Sequence, residues 1–286
     1  MKVAAVTMAF NEKSKLPIWM KYYAGQLGAT NCYIVDHGST DGSTDSLVGV
    51  NQIRLPRSPQ DNEKRTAFIG DLVNALLRYH DYVLYTDCDE ILAPDPRKFS
   101  GIIDYCDKVR PEYITSIGID LLHKLPEEGS LDPEKPILQQ RSYGHYSSAM
   151  NKPNLTSRSV TWWPGFHSRE LPAKFDDLFL FHLRYVDITQ TLQRLAVTRD
   201  MPWAREDAGG HQRVSDEKMT GMVRYWGRLP IVENDPWSIE SGLLSTYIQQ
   251  FKASEKLQGD SKTYWVDTVK FGAELIRIPN EFQSAF

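Results

Sequence analysis

Val3-Ala4-Ala5-Val6-Thr7-Met8-Ala9-Phe10-Asn11-Glu12 is the stretch that decides the fold class. Val3 to Thr7 is a short apolar run suited to a buried strand, and it breaks into polar residues at Asn11-Glu12. Working outward, Ser14 to Leu27 places Leu16, Trp19, Met20, Tyr23 and Leu27 at helical spacing, with Gly28 as the stop. Cys32 to Val35 reads as the next strand, closed by Asp36, and Gln52 to Leu55 as a short third. Glu63 to Tyr79 puts Phe68, Leu72, Ala75, Leu76 and Tyr79 on one helical face, and Tyr82 to Thr86 is a strand ending at Asp87. Strands alternating with helices predict an α/β fold with a Rossmann-like, mostly parallel central sheet flanked by helices. Ligands of such sheets bind beyond the carboxyl ends of the strands.

The remainder is less regular. Tyr113 to Leu122, Val160 to Trp163 and Phe179 to Leu183 read as strands among several prolines. Thr189–Thr198, Asp216–Trp226, Ile239–Phe251 and Lys262–Leu275 predict a helical C-terminal region. With 286 residues and no long linker, one continuous body is expected, its halves dividing near residues 1–110 and 111–286. Hydrophobic residues at 41% and charged residues at 24% are those of a globular chain rather than a disordered one. A net charge of −4 gives no basic field for nucleic acid. No apolar run approaches the length of a transmembrane segment, and the apolar start is too short for a signal peptide. Cys32, Cys88 and Cys106 form neither a CxxC pair nor an even disulfide set. These features predict a reduced, cytoplasmic location.

Chemistry concentrates at strand ends. In Asp87-Cys88-Asp89-Glu90, strand alternation would put Asp87 and Asp89 on one side and Cys88 on the other. Converging carboxylates repel unless a cation lies between them, and oxygen ligands suit Mg²⁺ or Mn²⁺. Alone, such a triplet is most often a solvated acidic turn. Here Thr7 leads into Asn11 and Glu12 after the first strand, and Asp36 ends the second, where it could accept from a base or a ribose hydroxyl. The loop from Gly38 to Thr44 could bring backbone close to a ligand. Neither GxGxxG nor GxxxxGK[ST] is present, which disfavours a dinucleotide-binding domain and a P-loop.

Ala5 to Glu12, Leu16-Pro17-Ile18-Trp19, Gly28, Ile34 to Gly42 and Asp87 to Ile91 together resemble the start of a family 2-type glycosyltransferase of the GT-A fold, in the DxDE subgroup related to the DUF23 proteins. Ile91 stands where that family usually has an aromatic residue. The resemblance covers roughly the first hundred residues. It implies a nucleotide-diphosphate sugar donor, most often of UDP, a divalent metal, and a glycan or other hydroxyl acceptor. It implies metal ligands at Asp87 and Asp89, with His182 completing the set and His167 as its rival. Thr7, Asn11, Glu12, Asp36, Gly38 and Asp87 would hold the donor, and Lys152 and Arg158, with Arg184, would neutralise its diphosphate. Glu170 is the chosen base for an acceptor hydroxyl, and Trp162, Trp163 and Trp203 are candidate sugar-stacking rings. The other histidines read as structural. Alternative readings are a sugar-nucleotide phosphohydrolase and an inactive glycan- or nucleotide-binding protein on the same scaffold.

Overall fold

The computed structural model describes residues 1–286 apart from 168, 208, 260–262 and 267–268, and the side chain of His211 also lies outside the described set. The chain begins with β1 (Val3–Ala9), α1 (Leu16–Leu27), β2 (Cys32–Asp36), β3 (Asn51–Arg54), α2 (Asn62–Leu76), β4 (Tyr82–Tyr85), β5 (Glu90–Pro94) and α3 (Ile102–Val109). It continues with β6 (Tyr113–Ile114), β7 (Ile117–Leu122), α4 (Ile137–Gln140), β8 (Tyr143–Tyr146), β9 (Leu155–Thr156) and β10 (Leu178–Tyr185). The final part holds α5 (Ile188–Asp200), α6 (Asp216–Trp226), β11 (Ile231–Val232), α7 (Gly242–Ser254), β12 (Glu255–Gln258), β13 (Thr263–Val266) and β14 (Leu275–Arg277).

Two six-stranded sheets carry the fold. The first has the order β3-β2-β1-β4-β9-β6, and its β3-β2-β1-β4 part is parallel. The expected βαβ core is therefore present, with β1 beside both β2 and β4. Ala9 pairs with Asp36 and Val6 with Tyr85, so these strands end along one rim. The second sheet has the order β11-β14-β8-β7-β10-β5 and is mixed. The sheets interleave along the sequence: β5 belongs to the second, while β6 and β9 return to the first.

The second sheet was not foreseen, and two C-terminal expectations need correction. Residues 263–266 form β13, paired antiparallel with β12, and 275–277 form β14, where a helix over 262–275 was expected; Lys262, Asp267 and Thr268 of that segment lie outside the described residues. Thr263-Tyr264-Trp265-Val266 is β-branched and aromatic, a composition that favours a strand over a helix. Val160–Trp163 forms no strand, only a single bridge from Trp162 to Arg169.

Helix α1 shows how packing positions the site. Pro17 sits in its first turn, where a missing N–H costs nothing. Leu16, Trp19, Tyr22 and Tyr23 are buried, and the two tyrosines meet β5 of the second sheet. Trp19 Nε1 donates to Thr86 Oγ1 at 2.7 Å, and Tyr22 OH donates to the Leu92 carbonyl at 3.0 Å. Tyr23 OH accepts from Leu92 N at 2.8 Å. The aromatic face of α1 thus clamps the chain on both sides of Asp87–Glu90.

Candidate functional site

Met8 to Phe10, Glu12, the Asp87–Asp89 turn, Lys15, Arg65 and the inner face of α5 line a cleft of about 150 Å³ at the rim where β1 and β4 end. This is the place the switch-point rule assigns to a ligand of a parallel sheet.

The acidic segment is a turn rather than an extension of β4. Glu90 N donates to the Asp87 carbonyl at 3.0 Å, which folds 87–90 back on itself, and β5 starts at Glu90. Asp87 and Asp89 therefore converge through a turn, and strand alternation is not the reason. The Cys88 thiol is buried, 3.3 Å from Thr7 Oγ1, although Cys88 also borders the cleft. One carboxylate oxygen from each of Asp87, Asp89 and Glu90 lies within 4.8 Å of the other two.

Each carboxylate is held differently. Asp87 accepts from Arg65, from Tyr85 OH at 2.8 Å and from Lys152 Nζ at 3.3 Å. Burial pushes its carboxyl up, but the Arg65 and Lys152 cations outweigh that and hold it below the usual carboxylate range. Glu90 is buried and accepts from Lys152, and one of its oxygens takes the Asp87 N–H at 3.0 Å. Asp89 faces His182, whose Nε2 lies 3.4 Å from Asp89 Oδ2. Burial raises Asp89, yet the imidazole beside it brings it down to about 2. Burial alone would lower His182; Asp89 and Asp120 reverse the sign and push it up to about 10.

The opposite wall is built by α5. Arg194 donates to the Phe10 and Asn11 carbonyls at 2.8 and 3.1 Å and pairs with Glu12 at 2.7 Å. These bonds fix a turn in which Asn11 has φ 53°. Burial pushes the Glu12 carboxyl up to about 7 against the Arg194 charge. Lys15 Nζ donates to Gln190 Oε1 at 3.0 Å, and burial lowers its ammonium from the ordinary range. Arg184 is half-buried on the cleft wall, and its charge helps keep Asp89 ionised.

The residues nominated from sequence divide accordingly. Glu12, Asp87 and Asp89 line the cleft, with Arg184 beside them. His182 stands behind Asp89, and Lys152 lies beneath the acidic turn as a buried counter-ion. Asp36 is fully buried, and Thr7 is equally buried against Cys88. Asp36 organises its own loop: it accepts from Ser39 N at 2.8 Å and from Thr44 Oγ1 at 3.1 Å. Asn11 accepts from Thr40 N at 2.8 Å, tying the two loops together. Gly38 has φ 74°, and a Cβ there would come within 2.8 Å of Arg57 Cβ. Arg158 is a surface residue 3.6 Å from Glu112, His167 is exposed, and Glu170 is half-buried; none of these lines the cleft. Trp162 is buried against Phe166 rather than offered to a sugar.

Sequence reading missed Arg65, Lys15, Arg194 and Asp120. Lys15 and Arg65 lie among other charged residues, Arg194 is one of two cations on α5, and none of the three carries a local signal. Asp120 did carry one: it is the lone charge in the apolar run Ile117–Leu122.

The donor set suits a divalent cation. Oxygens of Asp87, Asp89 and Glu90 converge, and beside Asp89 stands His182, whose Nδ1 is bound by Asp120 and whose Nε2 could ligate an ion once it gives up its proton. Mixed oxygen and imidazole donors fit Mn²⁺ and other first-row ions. Asp87 fits such an ion less well than Asp89, because Arg65, Tyr85 and Lys152 already engage it.

No family model matches the chain, and no curated protein is significantly similar to it. Among solved structures, glucosyl-3-phosphoglycerate synthase from Mycobacterium tuberculosis, in complex with Mn²⁺, UDP and glucosyl-3-phosphoglycerate, is similar over 32% of this chain and 34% of its own, with 19% identity and a TM-score of 0.24. A mannosyltransferase from Pyrobaculum calidifontis, in complex with GDP-Man and Mn²⁺, is similar over 44% of this chain and 36% of its own, with 15% identity and a TM-score of 0.28. The chain spans about a third of the length of these solved structures.

Proposed function

We propose that this chain is a metal-dependent glycosyltransferase, moving a sugar from a nucleotide-diphosphate sugar, with UDP as the first donor to test, to a hydroxyl acceptor. The observation that carries the reading is the meeting of the Asp87–Asp89 turn with His182 behind a cleft at the carboxyl ends of parallel strands. The sequence resemblance over the first hundred residues points the same way.

In this reading Asp89 and His182 would hold Mn²⁺ or Mg²⁺, with Asp87 beside them. The chemistry such an ion would supply is positive charge to offset that developing on the departing nucleoside diphosphate. Arg65 and Lys152 would keep Asp87 ionised and in place. Arg184, half-buried in the cleft wall, would face the diphosphate from the other side. Glu12 and Lys15, fixed by α5, would bound the nucleotide side. Among the described residues the carboxylates that line the cleft are Glu12, Asp87 and Asp89, so an acceptor base drawn from Glu170 would require that loop to approach the cleft.

Thermal melting with UDP-sugars, with and without Mn²⁺, tests the reading. A metal-dependent rise in Tm is expected for the native chain and not for Asp89→Ala. Release of free UDP on adding an acceptor then distinguishes a transferase from a binding protein. Absence of a metal-dependent shift with any nucleotide sugar would overturn the assignment.

A further inference from the structure

The register of the second sheet aligns Glu90, His182, Asp120 and His145 on neighbouring strands β5, β10, β7 and β8. All four are buried. A carboxylate inside a sheet is costly unless it is paired and hydrogen-bonded. Asp120, 2% exposed, meets that need through His182, whose Nδ1 lies 2.5 Å from Asp120 Oδ1. The Tyr185 ring packs edge-on against the imidazole, with centroids 5.8 Å apart at 84°. The ring is thus fixed in plane by a hydrogen bond and in tilt by an aromatic edge. Its remaining nitrogen, Nε2, lies 3.4 Å from Asp89 Oδ2, at the back of the cleft.

We infer that Asp120 is a positioning residue: by binding Nδ1 it fixes the tautomer and orientation of His182, so that Nε2 is presented beside Asp89 to a divalent cation. Asp120 does not line the cleft, so its influence on a bound ion passes through the imidazole. A carboxylate behind a ligating histidine also makes the imidazole a better donor, and loss of such a partner weakens metal affinity about 10–100-fold. The inference rests on the metal-dependent reading above and adds to it the group that makes His182 competent.

Mn²⁺ binding by the whole chain, without donor or acceptor, tests both separately. Electron paramagnetic resonance of the free ion gives affinity, and electron spin-echo modulation reports coupling to an imidazole nitrogen. The native chain should show that coupling, and His182→Gln should lose it. Asp120→Asn, which keeps shape but removes charge, should weaken Mn²⁺ binding about 10–100-fold and alter the coupling. Asp120→Ser is a second replacement, and the circular dichroism of each variant checks its fold. Combining Asp120→Asn with His182→Gln should weaken binding no further than His182→Gln alone. Native affinity and coupling in a folded Asp120 variant, or additive losses in the double variant, would overturn the role of Asp120 and leave the metal reading standing. Absence of nitrogen coupling in the native chain would overturn the placement of His182 at the metal, and the role of Asp120 with it.

Discussion

Asp36 accepts from Ser39 N and Thr44 Oγ1 while fully buried, so the loop from Gly38 to Thr44 is folded around its carboxylate. Asp36→Ala leaves those donors without an acceptor, and a buried group stranded in this way costs about 1–3 kcal/mol. Urea unfolding should show a lower midpoint with an unchanged slope. An unchanged midpoint with lost nucleotide affinity would instead put the carboxylate at the ligand. Asp36 also shows how far single residues were legible. A carboxylate at a strand end was evident from the sequence, but whether it faced ligand or loop depended on the path of residues 38–44. Asp87, Asp89 and His182 were legible because they interrupt or end apolar runs. Arg65 and Arg194 were not, because each shares its helix with another cation, Lys64 on α2 and Arg199 on α5, and only the tertiary fold selects which one turns inward.

At the level of elements, the acidic turn is braced from below by Lys152, which precedes β9, and from the side by α2, whose Arg65 reaches Asp87. Lys152 and Glu90 are almost wholly buried, with side chains 4% and 1% exposed. Removing one partner of a buried pair leaves an uncompensated charge and costs about 3–5 kcal/mol. Lys152→Met should therefore destabilise strongly in equilibrium urea unfolding, and adding Glu90→Gln should recover part of the loss. A surface role for Lys152 would instead predict a change within about 0.5 kcal/mol. The βαβ elements were legible because they combine apolar strands with amphipathic helices. The second sheet was not, since its outer strands β11 and β14 are two and three residues long and offer no period to read. The misread helix over 262–275 has the same origin: apolar residues recur there at mixed spacing, and pairing with β12 decides the outcome.

On the scale of the whole molecule, the cleft joins the two sheets, and the Asp89–His182–Asp120 contacts run from its wall into the second sheet. Its electrostatics predict a pH signature of folding without any ligand. His182 is pushed up to about 10 by its two carboxylates despite burial, from an ordinary 6.5. The folded chain therefore binds that proton more tightly than the unfolded chain. The stabilisation is complete below pH 6.5 and is lost as pH rises toward 10. Asp89, held down at about 2, acts in the opposite sense: its contribution is present above the ordinary carboxylate pKa of 3.8 and lost as pH falls toward 2. Glu12, raised to about 7 by burial, adds a cost that grows between pH 4.5 and 7, but it is common to native and variant chains and cancels in their difference. Replacing His182 by Gln keeps a hydrogen-bond donor and removes the titration. With chelator present, the stability gap between native chain and His182→Gln should be widest between about pH 4 and 6.5 and close steadily toward pH 10. Unfolding free energies measured at intervals across that range decide the matter. A gap that stays constant from pH 6.5 to 10 would mean that His182 is already neutral, and that no imidazolium links the cleft to the second sheet.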